Sequence, residues 1–321
     1  MPRILLVKTS SLGDVIHNLP VASDIARHVP NAEIDWVCEA PYAELVALHP
    51  HVRKALPVNL RHLKKNLFST RAWGEFLDCR RAIQSDRYDL ILDTQGLVKS
   101  AWIGSFATGP RAGYAADSAR EPFASRFYDR KFSIAKAQHA VTRNRALAAA
   151  ALGYALEGEA DYGLRVPPGE VFGLQPQRYA VFLHATSRQD KQWPQDKWRE
   201  LGGRLNAKGL KIVLPWGTEP ERAASDGIAA GIVSPLVPPR MELTAAARLL
   251  AGGALVVGVD TGLAHLAVAV GTPTIGIYTA TQSELTGLHG GHRAINLGGV
   301  GKIPSIDEVM RTAESLLEQT A

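Results

Sequence analysis

The sequence predicts an α/β protein of two domains, each a parallel sheet covered by helices, and three observations predict it. Strand-like and helix-like segments alternate along all 321 residues. A stretch rich in Pro and Gly, 153–176, splits that alternation into two series. The apolar, β-branched run Leu255-Val-Val-Gly-Val259 passes directly through Asp260-Thr261-Gly262 into the helical pattern 263–270. Repeated βα units imply parallel sheets with helices on both faces. Each series therefore reads as a Rossmann-like domain, 1–165 and 166–303, facing each other across a cleft, with a last segment at 304–321.

The elements follow in order, short apolar runs as strands and amphipathic or alanine-rich stretches as helices. The first series has strand 3–8, helix 14–28, strand 33–38, helix 42–48, strand 90–94, and helices 98–106 and 139–152. The second has strand 179–184, helix 196–208, strand 210–215, helices 219–230 and 243–251, strand 255–259, helix 263–270 and strand 274–278. Ligands in open α/β sheets sit at the carboxyl ends of strands, so the residues just after each strand carry the most weight.

Composition narrows the class. Apolar residues make up 46% and charged ones 21%, as in an ordinary water-facing globular chain. Two cysteines, Cys38 and Cys79, have no metal-ligand spacing and fit a reducing compartment. The amino-terminal apolar run is too short for a signal sequence, and no run nears a membrane span of about 20 residues. A cytoplasmic protein, at most peripheral to a membrane, is expected. The net charge of +5 lies wholly in residues 1–165, with 22 Lys and Arg against 17 Asp and Glu. Within 49–81 eight basic residues meet only Glu75 and Asp78, with Phe68, Trp73 and Phe76 among them. Such a run is a solvated face, or it meets an acidic substrate or an anionic surface. No nucleic-acid-binding signature accompanies it.

Several chemistries are excluded. No G-x-G-x-x-G follows the first strand, and the Gly298–Lys302 run lacks the Ser or Thr of a phosphate-binding P-loop. No H-E-x-x-H occurs, and His289 and His292 read as structural. No Asp-x-Asp is present to hold a metal on a diphosphate, so no metal and no cofactor are expected. Diphosphate charge would fall to helix ends and basic side chains.

Candidates stand at the strand ends. After strand one, Lys8-Thr-Ser-Ser-Leu-Gly-Asp14 offers Asp14, which either stabilises a helix start or takes a proton from a hydroxyl nucleophile. After strand 179–184, Thr186 and Ser187 supply hydroxyls and Lys191 a cation beside a phosphate. Asp260, Thr261, Gly262 and Leu263 form a helix start whose free N–H groups suit an anion, or Asp260 and Thr261 simply cap it. His265, one turn in, either donates to a phosphate or is an internally satisfied histidine. An acid at Glu219 or Glu221 suits a ribose diol.

These residues carry a resemblance. Val7–Val15, Asp93-Thr-Gln-Gly-Leu-Val-Lys-Ser100, Ala119-Arg-Glu-Pro122, 182–194, Leu214–Gly217 and Val259–His265 occur in the order found in glycosyltransferase family 9, and the likeness spans essentially the whole chain. It implies a GT-B fold and inverting transfer of L-glycero-D-manno-heptose from ADP-heptose to the first Kdo of Kdo2-lipid A, at the cytoplasmic face of the inner membrane. It implies Asp14 as base, Glu221 on the ribose and Met241 against adenine. Ser10, Gly13, Arg61, Lys64, Gln95, Arg120, Arg143 and Arg145 are expected to meet the acceptor. The last helix, by the same likeness, crosses back to the first domain. The chain departs from the pattern at Thr279-Ala-Thr-Gln282, where relatives carry a Gly-Pro-Thr-Asp-like turn. A transferase acting on an already heptosylated core, and a non-catalytic nucleotide-sugar binder, remain the alternatives.

Overall fold

The structure is a computed structural model that describes residues 1–66, 69–169, 171–186 and 188–319, and only the backbone of Arg61. Ser187, Phe68 and the Arg61 side chain therefore lie outside the described residues. The chain divides into two compact units, Met1–Arg165 and Val166–Ala321.

The first unit holds six strands: β1 (Arg3–Val7), β2 (Glu33–Glu39), β3 (Val52–Val58), β4 (Leu90–Asp93), β5 (Arg111–Tyr114) and β6 (Arg130–Phe132). All neighbours are parallel, in the order β3-β2-β1-β4-β5-β6. Ile4, Leu5, Leu6 and Val7 are at most 1% exposed, as expected of a strand covered on both faces. The strand order reverses between β1 and β4, the switch point at which the loops after two adjacent strands diverge and leave a crevice.

The second unit repeats the plan with β7 (Tyr179–Leu183), β8 (Lys211–Val213), β9 (Leu255–Val259), β10 (Thr274–Tyr278) and β11 (Ala294–Gly298), ordered β11-β10-β9-β7-β8. All pairs are again parallel. Its switch point lies between β7 and β9. Gly258 of β9 sits where a Cβ would meet the Leu183 Cβ at 3.0 Å and the Ala264 Cβ at 3.3 Å. Its missing side chain lets the helix Gly262–Ala269 lie close on the strands.

Two sequence expectations change. The single helix at 14–28 is two, Leu12–Ile16 and Leu19–His28. Pro20 has no N–H to offer the Ile16 carbonyl, so the helix restarts around it. Strands β3, β5, β6 and β11 and the helix Thr70–Gln84 were not anticipated. The helix Ile306–Glu318 packs its apolar side within the second unit. Val309, Met310, Ala313 and Leu316 bury in one cluster with Trp198, Leu201, Leu205, Ile275 and Ile277 of the second. Their spacing gives one apolar stripe, and the second sheet is the surface it covers.

Among the described residues, no helix is long and apolar enough to cross a membrane. Both cysteines are buried and free, and burial pushes Cys38 to about 12 and Cys79 to about 11. Their thiols are held protonated, as suits inert packing residues.

Candidate active site

At the first switch point the loop after β1 and the turn after β4 are bound side chain to backbone. Gln95 Oε1 accepts from Thr9 N at 2.7 Å and Thr9 Oγ1 at 2.8 Å, while its Nε2 donates to the Ser10 carbonyl at 2.6 Å. Lys99 Nζ donates to Ser10 Oγ at 3.0 Å. Beneath them Asp93 accepts from Gln95 N, Gly96 N, Ser100 Oγ and the Tyr128 hydroxyl, at 2.8, 3.2, 2.8 and 2.7 Å. Burial raises the Asp93 carboxyl despite these donors. A buried, fully bonded turn of this kind is a rigid mount.

The mount carries Asp14, in the first turn of the helix Leu12–Ile16. Asp14 Oδ2 accepts from Ser11 N at 3.0 Å and Ser11 Oγ at 3.1 Å, and Arg120 forms a two-nitrogen ion pair with the carboxylate. Burial by itself raises the Asp14 carboxyl, but the charges of Lys8 and Arg120 and the bonds from Arg120 and Ser11 outweigh it. The group is held below the ordinary aspartate range. Lys8 is buried, donating to the Thr94 carbonyl at 2.8 Å and Asn144 Oδ1 at 3.2 Å. Burial lowers its ammonium to about 8. Tyr114 completes the network through its hydroxyl to Asn144 Oδ1 at 3.1 Å.

Lys8, Arg120 and Arg143 line one small polar cavity together with Thr94, Gln95, Tyr114 and Asn144. Arg143 lies over the Tyr114 ring and donates to the Ser118 carbonyl, and its Nε is buried with no partner among the described residues. Three cations around one cavity, one with an unused donor, are suited to an anion.

The second switch point is more open. Lys191 Nζ pairs with Asp260 Oδ2 at 2.7 Å, and Thr281 Oγ1 donates to the same oxygen at 2.8 Å. Thr186 Oγ1 donates to the Asp260 carbonyl at 3.4 Å, and Thr279 Oγ1 to the Asp190 carbonyl at 2.6 Å. The departing loop 279–282 thus holds both the Asp260 carboxylate and the Lys191 turn. Thr261, half-buried, is the N-cap of the helix Gly262–Ala269, and Gly262 and Leu263 open its first turn. Their backbone N–H groups precede any intrahelical acceptor and are free for an anion. His265 is buried. Glu221 Oε2 accepts from Gly217 N at 2.8 Å and Thr218 N at 3.1 Å, capping the helix Glu219–Ala229. His184, pushed by burial down to about 4, meets Ser225 Oγ at 2.7 Å and ties the β7 loop to that helix. Met241, half-buried, precedes the helix Leu243–Ala251.

Some expected site residues play other parts. Arg145 is a correction: its guanidinium is buried against Asp24 at 2.7 Å and donates to the Glu157 and Gly158 carbonyls. These contacts make it a structural tie. Gln95 latches the loop through its amide and also lines the small polar cavity. In the basic stretch, Arg53 pairs with Asp35 and Asp86, and Lys54 with Asp86. Lys64 stays exposed. Gly13 and Ser10 belong to the Asp14 loop. Among the described residues no cluster of three His, Cys, Asp or Glu could hold a metal ion. Asn144 and Tyr114 are not singled out by the sequence, and Lys8, Lys99 and Thr281 stand there in quoted segments without a role. A lysine closing an apolar buried strand was the one available signal.

A family model described as glycosyltransferase family 9 (heptosyltransferase) matches residues 76–314. The chain is 46% identical over 291 residues to lipopolysaccharide heptosyltransferase 1 of Pseudomonas aeruginosa, covering 90% of this chain and 81% of that one. It is 42% identical over 295 residues to lipopolysaccharide heptosyltransferase 1 of Escherichia coli K12, with 91% and 92% covered. The solved structure of E. coli heptosyltransferase WaaC with ADP superposes with a TM-score of 0.89 at 39% identity, over 99% of this chain and 100% of that chain. The two parallel sheets are those of the GT-B architecture. With a mounted carboxylate at one switch point and a helix start flanked by Lys191 at the other, the chain belongs to glycosyltransferase family 9, the heptosyltransferases.

Proposed function

We propose that this enzyme moves L-glycero-D-manno-heptose from ADP-heptose to the first Kdo of Kdo2-lipid A, with inversion and without a metal. The observation that carries the reading is Asp14, held ionised by Lys8 and Arg120 on a rigid loop at the first switch point. An acceptor hydroxyl oxygen attacks the anomeric carbon from the face opposite ADP, its proton passes to Asp14, and the bond from that carbon to the β-phosphate oxygen breaks. A single displacement inverts the centre, by the same stereochemical logic as inverting glycosidases. Charge left on the diphosphate meets the N–H groups at Thr261, Gly262 and Leu263, the hydroxyls of Thr186 and Ser187, and Lys191. In that step Lys191 leaves Asp260 for a phosphate oxygen, with Thr281 keeping the Asp260 carboxylate in place.

Glu221 Oε1 is the atom for a ribose hydroxyl, Met241 the surface for adenine, and His265 a supporting donor within the helix. An acceptor carboxylate fits the cavity of Lys8, Arg120 and Arg143, while Arg61 and Lys64 serve acidic groups farther out on the lipid-borne acceptor. The enzyme would then work at the cytoplasmic face of the inner membrane, in peripheral contact with its anionic surface.

Turnover tests the reading. Purified enzyme with ADP-heptose is expected to glycosylate Kdo2-lipid A, to ignore heptosylated core, and to keep its rate in EDTA. Turnover on heptosylated core alone would reassign the acceptor. Donor binding without turnover would make the chain a nucleotide-sugar binder, and loss in EDTA restored by Mg²⁺ would overturn the metal-free step.

A further inference from the structure

The first unit carries an exposed aromatic face that the transfer chemistry does not use. On the helix Thr70–Gln84, Trp73 and Leu77 are one turn apart and 44% and 45% exposed, and Trp102 of the helix Val98–Gly104 is 41% exposed. The two indoles meet on Phe76: Trp102 stacks on its ring at 5.6 Å with 7° between planes, and Trp73 meets it edge-on at 6.0 Å. Trp102 also packs edge-on against Phe106 at 4.8 Å. Phe76 is itself buried, so the exposed rings rest on a fixed platform.

Cations border this face. Residues 60–84 hold six Lys and Arg against two acids. Lys64, Lys65 and Arg80 are exposed, Arg80 lies over the Phe106 ring at 5.4 Å, and none of the three enters an ion pair among the described residues. Arg71 and Arg81 pair only with Glu75 and Asp78 of their own helix, contacts that water weakens.

We propose that this face docks on an anionic lipid bilayer, with Trp73, Leu77 and Trp102 at the level of the headgroups and the lysines and arginines against lipid phosphates. Indole rings favour that depth because one edge is apolar and the other donates a hydrogen bond. Each cation near such a surface strengthens binding by about fivefold. A second copy of the chain is the poorer occupant, since a two-fold contact would set this cationic border against itself. The proposal deepens the reading of a lipid-borne acceptor. The helix that presents Trp102 also presents Lys99, three residues earlier, to Ser10 of the Asp14 loop. Docking there brings the base loop within one helical turn of the anchoring residue.

Vesicle binding tests the proposal with neither donor nor acceptor present. The intact protein should co-sediment with phosphatidylglycerol–phosphatidylcholine vesicles more than with phosphatidylcholine alone, and less as salt is added. Trp73→Ala with Trp102→Ala should weaken this by about tenfold or more, while turnover on a soluble, delipidated acceptor is unchanged. The milder Trp73→Phe with Trp102→Phe should keep the fold and remove most quenching of tryptophan fluorescence by brominated lipid. Wild-type binding of anionic vesicles by the double alanine variant overturns the proposal. So does a dimer that this variant dissociates while vesicle binding stands. Failure of vesicle binding with soluble turnover intact removes the docking face alone and leaves the transfer reading standing.

Discussion

The two switch points share a topology and differ in how they hold charge. In the first unit Asp14 is half-buried and its supports are inside: Lys8, Asp93 and Gln95 are each 2% exposed, and every loop residue that positions Asp14 is itself bonded. In the second, Asp260, Thr261, Gly262 and Lys191 are half-buried, and among the described residues the Asp260 carboxylate is held by Lys191 and Thr281 without a buried layer of supports beneath it. A base needs a fixed mount before the reaction, because its position and basicity are set by the groups around it. A diphosphate needs open backbone N–H groups and a cation free to change partners. In the proposed reading, one parallel-sheet plan serves both by changing the loops at the carboxyl ends of its strands.

The sharpest test of that contrast is Asp14→Asn. It keeps size and the bond from Ser11 but removes the base, so kcat should fall by about 10²–10⁴ with ADP-heptose affinity in calorimetry nearly unchanged. Near-normal kcat would reduce Asp14 to a helix-start residue and dissolve the difference between the sites. Arg145→Ala probes the same unit without touching the reaction. Breaking its buried pair with Asp24 should cost about 3–5 kcal/mol, read as a lower Tm, with acceptor KM unchanged in whatever folded enzyme remains. A raised KM at unaltered Tm would return Arg145 to the acceptor.

Lys191→Ala should raise donor KM by about 10–100-fold, the worth of a charge-assisted hydrogen bond, and leave acceptor KM alone. An equal effect on both substrates would mean the second switch point is not a donor site. The smallest effect is a pH dependence. Above about 8, Lys8 loses its proton, the cavity keeps two of its three cations, and acceptor KM should rise roughly five- to thirtyfold. Stability should move the other way. Between about 8 and the ordinary 10.5 of lysine, the folded chain has released a proton that the unfolded chain still holds. The stability contributed by this group therefore grows with pH across that window. Acceptor KM that is flat from pH 7 to 9 would detach Lys8 from acceptor binding.

The parallel-sheet plan was legible because its signals are local: buried β-branched strands and a helix start such as Asp260-Thr261-Gly262 can be read in a window of a dozen residues. The edge and outer strands were not. β3 carries Arg53, Lys54 and Pro57, and β6 is only Arg130-Lys-Phe132, neither of them an apolar run. Asp14, Lys191 and Asp260 were legible as strand-end residues. Their supports were not, because they come from far along the chain: Lys8 reaches Thr94 86 residues away and Asn144 136 residues away. Arg143 and Arg145 show the limit most plainly. They lie two residues apart on one helix, so they point to different sides. One faces the cavity and the other Asp24. Sequence reports both charges and neither direction.

The pairing of Asp14 with Arg120 bears on waste. At rest one carboxylate oxygen faces Arg120 Nη2 and the other is shared among Ser11 N, Ser11 Oγ and Arg120 Nη1. If Asp14 is the base of the proposed transfer, a stray water in place of the acceptor would find this carboxylate already engaged and be poorly activated. Under the proposed mechanism, an anionic acceptor would compete for Arg120, and as the guanidinium turned toward it an Asp14 oxygen would be released beside the incoming hydroxyl. The partner that should receive the sugar would thereby arm the proposed base, and futile hydrolysis of an activated sugar would be discouraged by the same arginine that keeps the carboxylate charged.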